Sequence, residues 1–233
     1  MKILICGEGE HDMGGKIYCP RKNSYEINEG WIQKFIRQMK PNLDIVFEIR
    51  HRKELISFSG KKKRFGLKGH GEKAFSAMML AKREGYDAVV FMVDADTKDL
   101  KQWKVKYQEI LDGFSAVEGA PLGIACVPKS ASESWLLCDS QAWAALGLSD
   151  LKALPTEPEI IWGKRNDPNA NHPHQYFKRI CQKANIPDNK YTRWEIAELS
   201  DINIIEEKCP NSFTAFHQAL GSISDKVTAE FIR

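Results

Sequence analysis

"DAVVFMVDAD", residues 87–96, decides the fold. Six apolar residues, Ala88 to Val93, run without a polar interruption. A strand with water on one face alternates; one covered on both faces does not, and that is the mark of a parallel sheet. The run is therefore predicted to be a central strand. It ends in Asp94-Ala95-Asp96, so two carboxylates stand at its carboxyl end.

The pattern repeats outward from this strand. "KILIC" (2–6) and "LDIVFEI" (43–49) precede it as strands, and "LGIACV" (122–127) follows. Between them come stretches of helical periodicity. Residues 28–39 place Trp31, Ile32, Phe35, Ile36 and Met39 on one face, with Pro41 as a stop. Residues 72–84 form a second helix ended by Gly85, and 99–112 a third with Trp103, Tyr107 and Ile110 on one side. A fourth is predicted over 132–145, with Trp135, Cys138 and Ala142 as its core stripe and Asp139 as a solvated or locally bonded helix residue. Strand and helix alternate four times. That order predicts an α/β domain, a Rossmann-like four-stranded, mainly parallel sheet with helices on both faces. Beyond residue 150, prolines at 155, 158, 168, 173 and 187 break the pattern. Short helices are predicted at 174–184, 192–207, 211–221 and 224–232. The predicted division is a domain over 1–150 and a helical C-terminal extension over 151–233 packed on it.

The 233 residues are 42% hydrophobic and 28% charged, which suits a water-soluble chain with a sizeable core. No apolar run nears the roughly 20 residues that span a bilayer, and the chain opens directly on a strand. No membrane, no signal peptide and a cytoplasmic location are predicted. Six cysteines contain no C-x-x-C pair, which argues against a disulfide framework. His172, His174 and Cys181 fit no common zinc spacing. The net charge is +3, but residues 50–73 hold nine Lys/Arg and two acids. Arg50, Arg52, Lys61, Lys62, Lys63, Arg64 and Lys68 in this glycine-containing segment are candidates for contacting nucleic-acid phosphates. A solvated surface loop is the plainer alternative.

Acids collect at strand ends. After strand one comes Gly7-Glu8-Gly9-Glu10-His11-Asp12, after strand three Asp94 and Asp96, and after strand four Pro128-Lys129-Ser130, with Glu133 close behind. Open parallel sheets bind ligands at the carboxyl ends of their strands. If strands one and three are neighbours, Glu8, Asp94 and Asp96 converge. At roughly 6 Å each carboxylate pair repels by about 3 kcal/mol at an effective dielectric near 20. A cation or a proton must offset that. Oxygen-only donors favour Mg²⁺ or Mn²⁺ over zinc. Plainer roles stand beside these. Asp94 or Asp96 alone fits a helix cap. Ser130-Ala-Ser-Glu133 fits a capping box, with Glu133 turned back on its own helix. Lys129 fits either a phosphate contact or a surface position, and His11 a bystander.

Glu8-Gly9-x-x-Asp12 after a first strand, with Asp94-x-Asp96 after a later one, resembles the Toprim domain of topoisomerases, bacterial primases and small nucleases. "VPKSASESWLLCD" (127–139) is similar to an E-x-W-L-L-x-D signature in a group of bacterial Toprim-like proteins associated with phage defence beside an ATPase. The resemblance covers roughly residues 1–145. It implies a Toprim-like sheet and a cytoplasmic, Mg²⁺- or Mn²⁺-dependent nuclease acting on DNA or RNA with one or two ions, with a partner ATPase. It implies Glu8 as general acid/base or metal ligand, Asp94 and Asp96 as metal ligands, and Glu133 as a ligand of a second ion. Lys129 would stabilise charge at the phosphate. Glu10, His11 and Asp12 are additional candidates; Glu10 and His11 depart from the small or proline residues usual there, and Gly9 favours Glu8 as the leading acid. Two other functions fit parts of the pattern. One is a D-x-D nucleotide-sugar glycosyltransferase, the other a non-catalytic Toprim-like subunit that binds nucleic acid or a partner. A haloacid-dehalogenase phosphatase fits worse, because Thr97 lies three residues after Asp94 rather than four.

Overall fold

A computed structural model describes residues 1–19, 24–58 and 66–230. Among these, strands β1 (Lys2–Gly7), β4 (Val46–His51), β5 (Ala88–Met92) and β6 (Leu122–Cys126) form one parallel sheet in the order β4-β1-β5-β6. The apolar run at 88–93 is central, between β1 and β6. Leu4, Cys6, Val89, Phe91 and Ala125 point to one face and Ile3, Ile5, Val90, Met92 and Ile124 to the other; all are buried. An α/β fold with a Rossmann-like parallel sheet is thus present.

Two compact units divide the chain. The first comprises Met1–Glu8, Asn42–Lys129 and Pro210–Arg233; the second comprises Gly9–Pro41 and Ser130–Cys209. A boundary at 150 falls inside the second unit. The first unit holds the parallel sheet. Helix α3 (Gly71–Glu84) packs against β5 and α4 (Leu100–Ser115) against β6, while α10 (Ser212–Glu230) runs along β6. Helices α3 and α4 approach very closely. A Cβ on Gly113 would stand 2.3 Å from the Gly71 carbonyl oxygen, so only glycine fits there. Trp103 on α4 anchors its indole N–H to the Val127 carbonyl at 2.8 Å.

The second unit begins with the short helix α1 (Glu10–Met13) and a hairpin of β2 (Gly14–Cys19) and β3 (Ser24–Glu29). This hairpin was not predicted: residues 14–19 lack apolar–polar alternation, the alternating Ser24–Glu29 offers only Tyr25 and Ile27 as apolar positions, and the helix expected from 28 starts at Trp31, as α2 (Trp31–Met39). The rest is helical: α5 (Glu133–Leu136), α6 (Ser140–Ala145), α7 (Pro173–Lys183), α8 (Lys190–Leu199) and α9 (Ile202–Lys208). The single helix expected over 132–145 is broken at Asp139. That residue is buried and, of the two roles expected for it, takes the locally bonded one; its carboxylate caps α6 by accepting from the Gln141 N–H at 2.8 Å and also accepts from the Asp201 N–H at 2.8 Å. Asp201 similarly starts α9 and divides the helix expected over 192–207. Conversely, the two terminal helices expected at 211–221 and 224–232 are one, α10. Trp135, Cys138 and Ala142 are buried, as the core stripe requires. Among the described residues no helix is long and apolar enough to cross a membrane.

Candidate active site

The first unit's chemistry lies at the carboxyl edge of its sheet. From β1 the chain crosses to β4 on one side, then returns past β1 to β5 on the other. The strand order therefore reverses between β1 and β5, which is where ligands enter open α/β sheets. Glu8 follows β1 and Asp94 and Asp96 follow β5. Cys6 is level with Phe91 in the ladder, which places Glu8 level with Val93, one residue before Asp94.

Beyond Met92 the chain keeps hydrogen bonding toward β6: Val93 N–H to the Cys126 carbonyl, Ala95 N–H to Pro128 and Thr97 N–H to Lys129. The last step advances two residues on one side and one on the other. Asp96 is the extra residue, and its φ of 48° lies in the left-handed region. Val93, Ala95 and Thr97 are buried, Asp94 is half-buried and Asp96 is exposed. Neither aspartate caps the next helix. Asp99 does that for α4, accepting from the Gln102 N–H at 2.8 Å.

Basic residues stand at the same edge. Gly7 is level with His51 in the β1–β4 ladder, so Glu8 and Arg52 emerge side by side. Their side chains form an ion pair. Lys106 of α4 donates to the carbonyl of Ala95, between the two aspartates. His70, just before α3, gives its backbone N–H to Glu109 at 3.2 Å. Burial, reinforced by the positive charges of Lys106 and Arg52, holds its imidazole below the usual pKa of 6.5. Lys129, at the end of β6, is 4% exposed and so is no surface lysine. Sequence reasoning passed over Lys106 and His70. Lys106 left a signal, since it sits three residues after buried Trp103 on the same helical stripe, where a lysine is out of place.

Of the candidate nucleic-acid contacts, Arg50 lies 3.6 Å from Glu48 and 3.8 Å from Glu84, Arg52 is on Glu8, and Lys68 is exposed. Lys61, Lys62, Lys63 and Arg64 lie outside the described residues. The hard oxygen donors Glu8, Asp94 and Asp96 suit Mg²⁺ or Mn²⁺ in kind. The strand order brings them to one edge. It does not gather their side chains: among the described residues no three His, Cys, Asp or Glu groups already surround one point.

Asp12 and Glu133 belong to the second unit, where they enter a separate polar cluster. The Asp12 carboxylate accepts from the Trp31 indole N–H at 2.7 Å. Burial, opposed by that bond but aided by the nearby Glu133 charge, pushes its pKa up to about 6. Glu133 does not form the capping box, one of the roles expected of it; among the described residues the Ser130 hydroxyl has no hydrogen-bond partner. Instead the Glu133 carboxylate meets His174 Nδ1 at 3.1 Å and the Arg193 guanidinium at 3.3 Å. Burial favours the neutral acid, yet His174 and Arg193 together hold the pKa down to about 2. Arg193 also donates to Asp188 at 2.6 Å and lies over the Phe177 ring. His172 and His174 are likewise spoken for: His172 Nδ1 accepts from the His174 N–H at 3.2 Å and caps α7. Glu10 and His11 fall in α1, but their side chains lie outside the described part of the structure.

No family model, no curated protein and no solved structure matches the chain.

Proposed function

We propose that the protein is a Toprim-like, divalent-metal-dependent phosphodiesterase that cleaves DNA or RNA. The observation that carries this is the strand order. Glu8 and the Asp94-x-Asp96 pair occupy adjacent strand ends at the one reversal of the sheet. Glu8, Asp94 and Asp96 would hold one or two Mg²⁺ or Mn²⁺ ions, which when bound supply Lewis-acid activation of the phosphate and a nucleophilic water. The chain's own cations do the rest. Lys129 supplies a buried positive charge to stabilise developing negative charge on phosphate oxygens. Lys106, bonded to the Ala95 carbonyl, fixes the turn that presents both aspartates. Arg52 and Lys68, with the basic residues between them in sequence, contact the nucleic-acid backbone without reading bases. Glu133 is left out of the metal set, because His174 and Arg193 already hold its carboxylate in the other unit.

The test is cleavage of end-labelled single- and double-stranded DNA and RNA with Mn²⁺ or Mg²⁺. Wild-type protein cuts at least one of them, and Asp94→Asn does not. Equal cutting by Asp94→Asn would refute the assignment. The Glu8–Arg52 pair favours one alternative, a non-catalytic subunit of this fold that binds nucleic acid. Tight binding with no turnover in any divalent metal, with or without a partner ATPase, would select it.

A further inference from the structure

We propose that Arg52 makes metal binding and nucleic-acid binding mutually dependent, by exchanging Glu8 for a backbone phosphate. This rests on the proposed function and concerns the regulation of the same site.

Glu8 is a candidate ligand whose partner is itself a candidate phosphate contact. The pairing follows from register, since Gly7 and His51 are level on neighbouring strands and the next residues are Glu8 and Arg52. Both side chains still reach solvent, with 49% of Glu8 and 32% of Arg52 exposed. Incoming groups can therefore compete for either one. A guanidinium presents the same planar fork to a carboxylate and to a phosphate, so a phosphate can take the place of Glu8 without moving the backbone. Arg50 is not equivalent. It lies near Glu48 and Glu84, neither of which is a candidate ligand.

While Arg52 holds Glu8, that carboxylate is withheld from a metal ion. This agrees with the lack of a ready-made cluster among the described residues. A phosphate on Arg52 releases Glu8 toward the ion. An ion on Glu8 releases Arg52 toward phosphate. Linkage requires the two effects to be equal in size. The ion pair is screened by solvent, so the expected coupling is modest, about two- to fivefold in affinity.

The experiment measures Mn²⁺ binding through the loss of the free-ion EPR signal. It is run with the protein alone and with phosphorothioate oligonucleotides, both deoxyribo and ribo. An oligonucleotide with an uncharged methylphosphonate backbone serves as the control. For the wild type, the charged oligonucleotide tightens Mn²⁺ binding about two- to fivefold and the uncharged one does not. Arg52→Gln binds Mn²⁺ more tightly by the same factor without nucleic acid, and its response to nucleic acid disappears. Arg52→Lys keeps the charge but loses the fork, and its response falls below that of the wild type. The proposal is overturned if Arg52→Gln binds Mn²⁺ like the wild type or more weakly. It is also overturned if Arg52→Gln binds more tightly yet still responds to nucleic acid, because Arg52 then acts only by repelling the ion. Either result leaves the metal site standing. Absence of Mn²⁺ binding in every form would remove the metal site and the coupling together. Thermal unfolding of each variant establishes that it is folded.

Discussion

Replacing Arg193 by methionine strips the second unit's polar cluster of its central cation. The side chain of Arg193 is 4% exposed and that of Glu133 11%, so water cannot take over the vacated role. Glu133 prefers the charged form strongly: its carboxyl is held at about 2 against an ordinary 4.5. That gap corresponds to about 3 kcal/mol, part of it due to His174. Asp188 loses its 2.6 Å partner at the same time, and Phe177 loses the guanidinium over its ring. Removing one member of a buried pair costs about 3–5 kcal/mol, and Arg193→Met falls in that range. The assay is urea unfolding at pH 7 followed by tryptophan fluorescence, because Trp31, Trp135, Trp143 and Trp194 all lie in this unit. Arg193→Met combined with Glu133→Gln removes the stranded charge and recovers much of the loss. The pH dependence gives a second arm. Glu133 titrates lower in the folded chain than in the unfolded one. Its contribution is therefore complete above pH 4.5 and disappears as pH falls through about 2. A loss below about 1 kcal/mol for Arg193→Met would show that the cluster is not held by this arginine.

Four further outcomes follow from the same structure. The Asp12 carboxyl titrates near 6 when folded and 3.8 when unfolded, so the stability from its protonated form is present below pH 3.8 and lost as pH rises through about 6. Asp12→Asn keeps an acceptor for Trp31 and is more stable than wild type at pH 7, with the two unfolding curves converging in acid; a less stable Asp12→Asn at pH 7 would contradict this. Gly113→Ala drives a methyl into the Gly71 carbonyl and costs about 1–3 kcal/mol in denaturant unfolding. Asp94→Asn abolishes metal-dependent cleavage of labelled nucleic acid. Binding to nucleic acid weakens linearly with the logarithm of salt concentration, and Arg52→Gln lowers the slope by about one contact in fluorescence anisotropy titrations.

The sheet was legible because its strands are buried on both faces, and that leaves continuous apolar runs such as Ala88–Val93. Burial also fixed which residues terminate each strand, so the edge where Glu8, Asp94 and Asp96 stand followed from the run lengths. The hairpin was not legible. Its first strand has no period of two, its second alternates but with only Tyr25 and Ile27 apolar, and its base is set by Gly14 and Gly30, where a Cβ on Gly30 would stand 2.2 Å from the Asp12 carbonyl oxygen. The break at Asp139 was hidden because one aspartate satisfies two separate backbone segments, and a helical pattern cannot show the second. The partners of Glu133 were hidden for a similar reason. Arg193 lies 60 residues away and His174 lies 41 away, and neither distance leaves a local trace.

The path of the chain has a consequence for synthesis and dissection. Five consecutive stretches belong alternately to the first and second units, with passages at 8–9, 41–42, 129–130 and 209–210. No single cut isolates either unit from the other. A fragment ending near residue 150 would carry the parallel strands without the helix that lies along β6, plus an unfinished share of the other unit. On the ribosome, the sheet must wait for the helix along β6 until the entire second unit has been made. A nick at 41–42 or 129–130 divides both units and one at 8–9 or 209–210 divides the first, so at every passage the two fragments still complete a shared unit and proteolysed material should migrate as one particle until it is denatured.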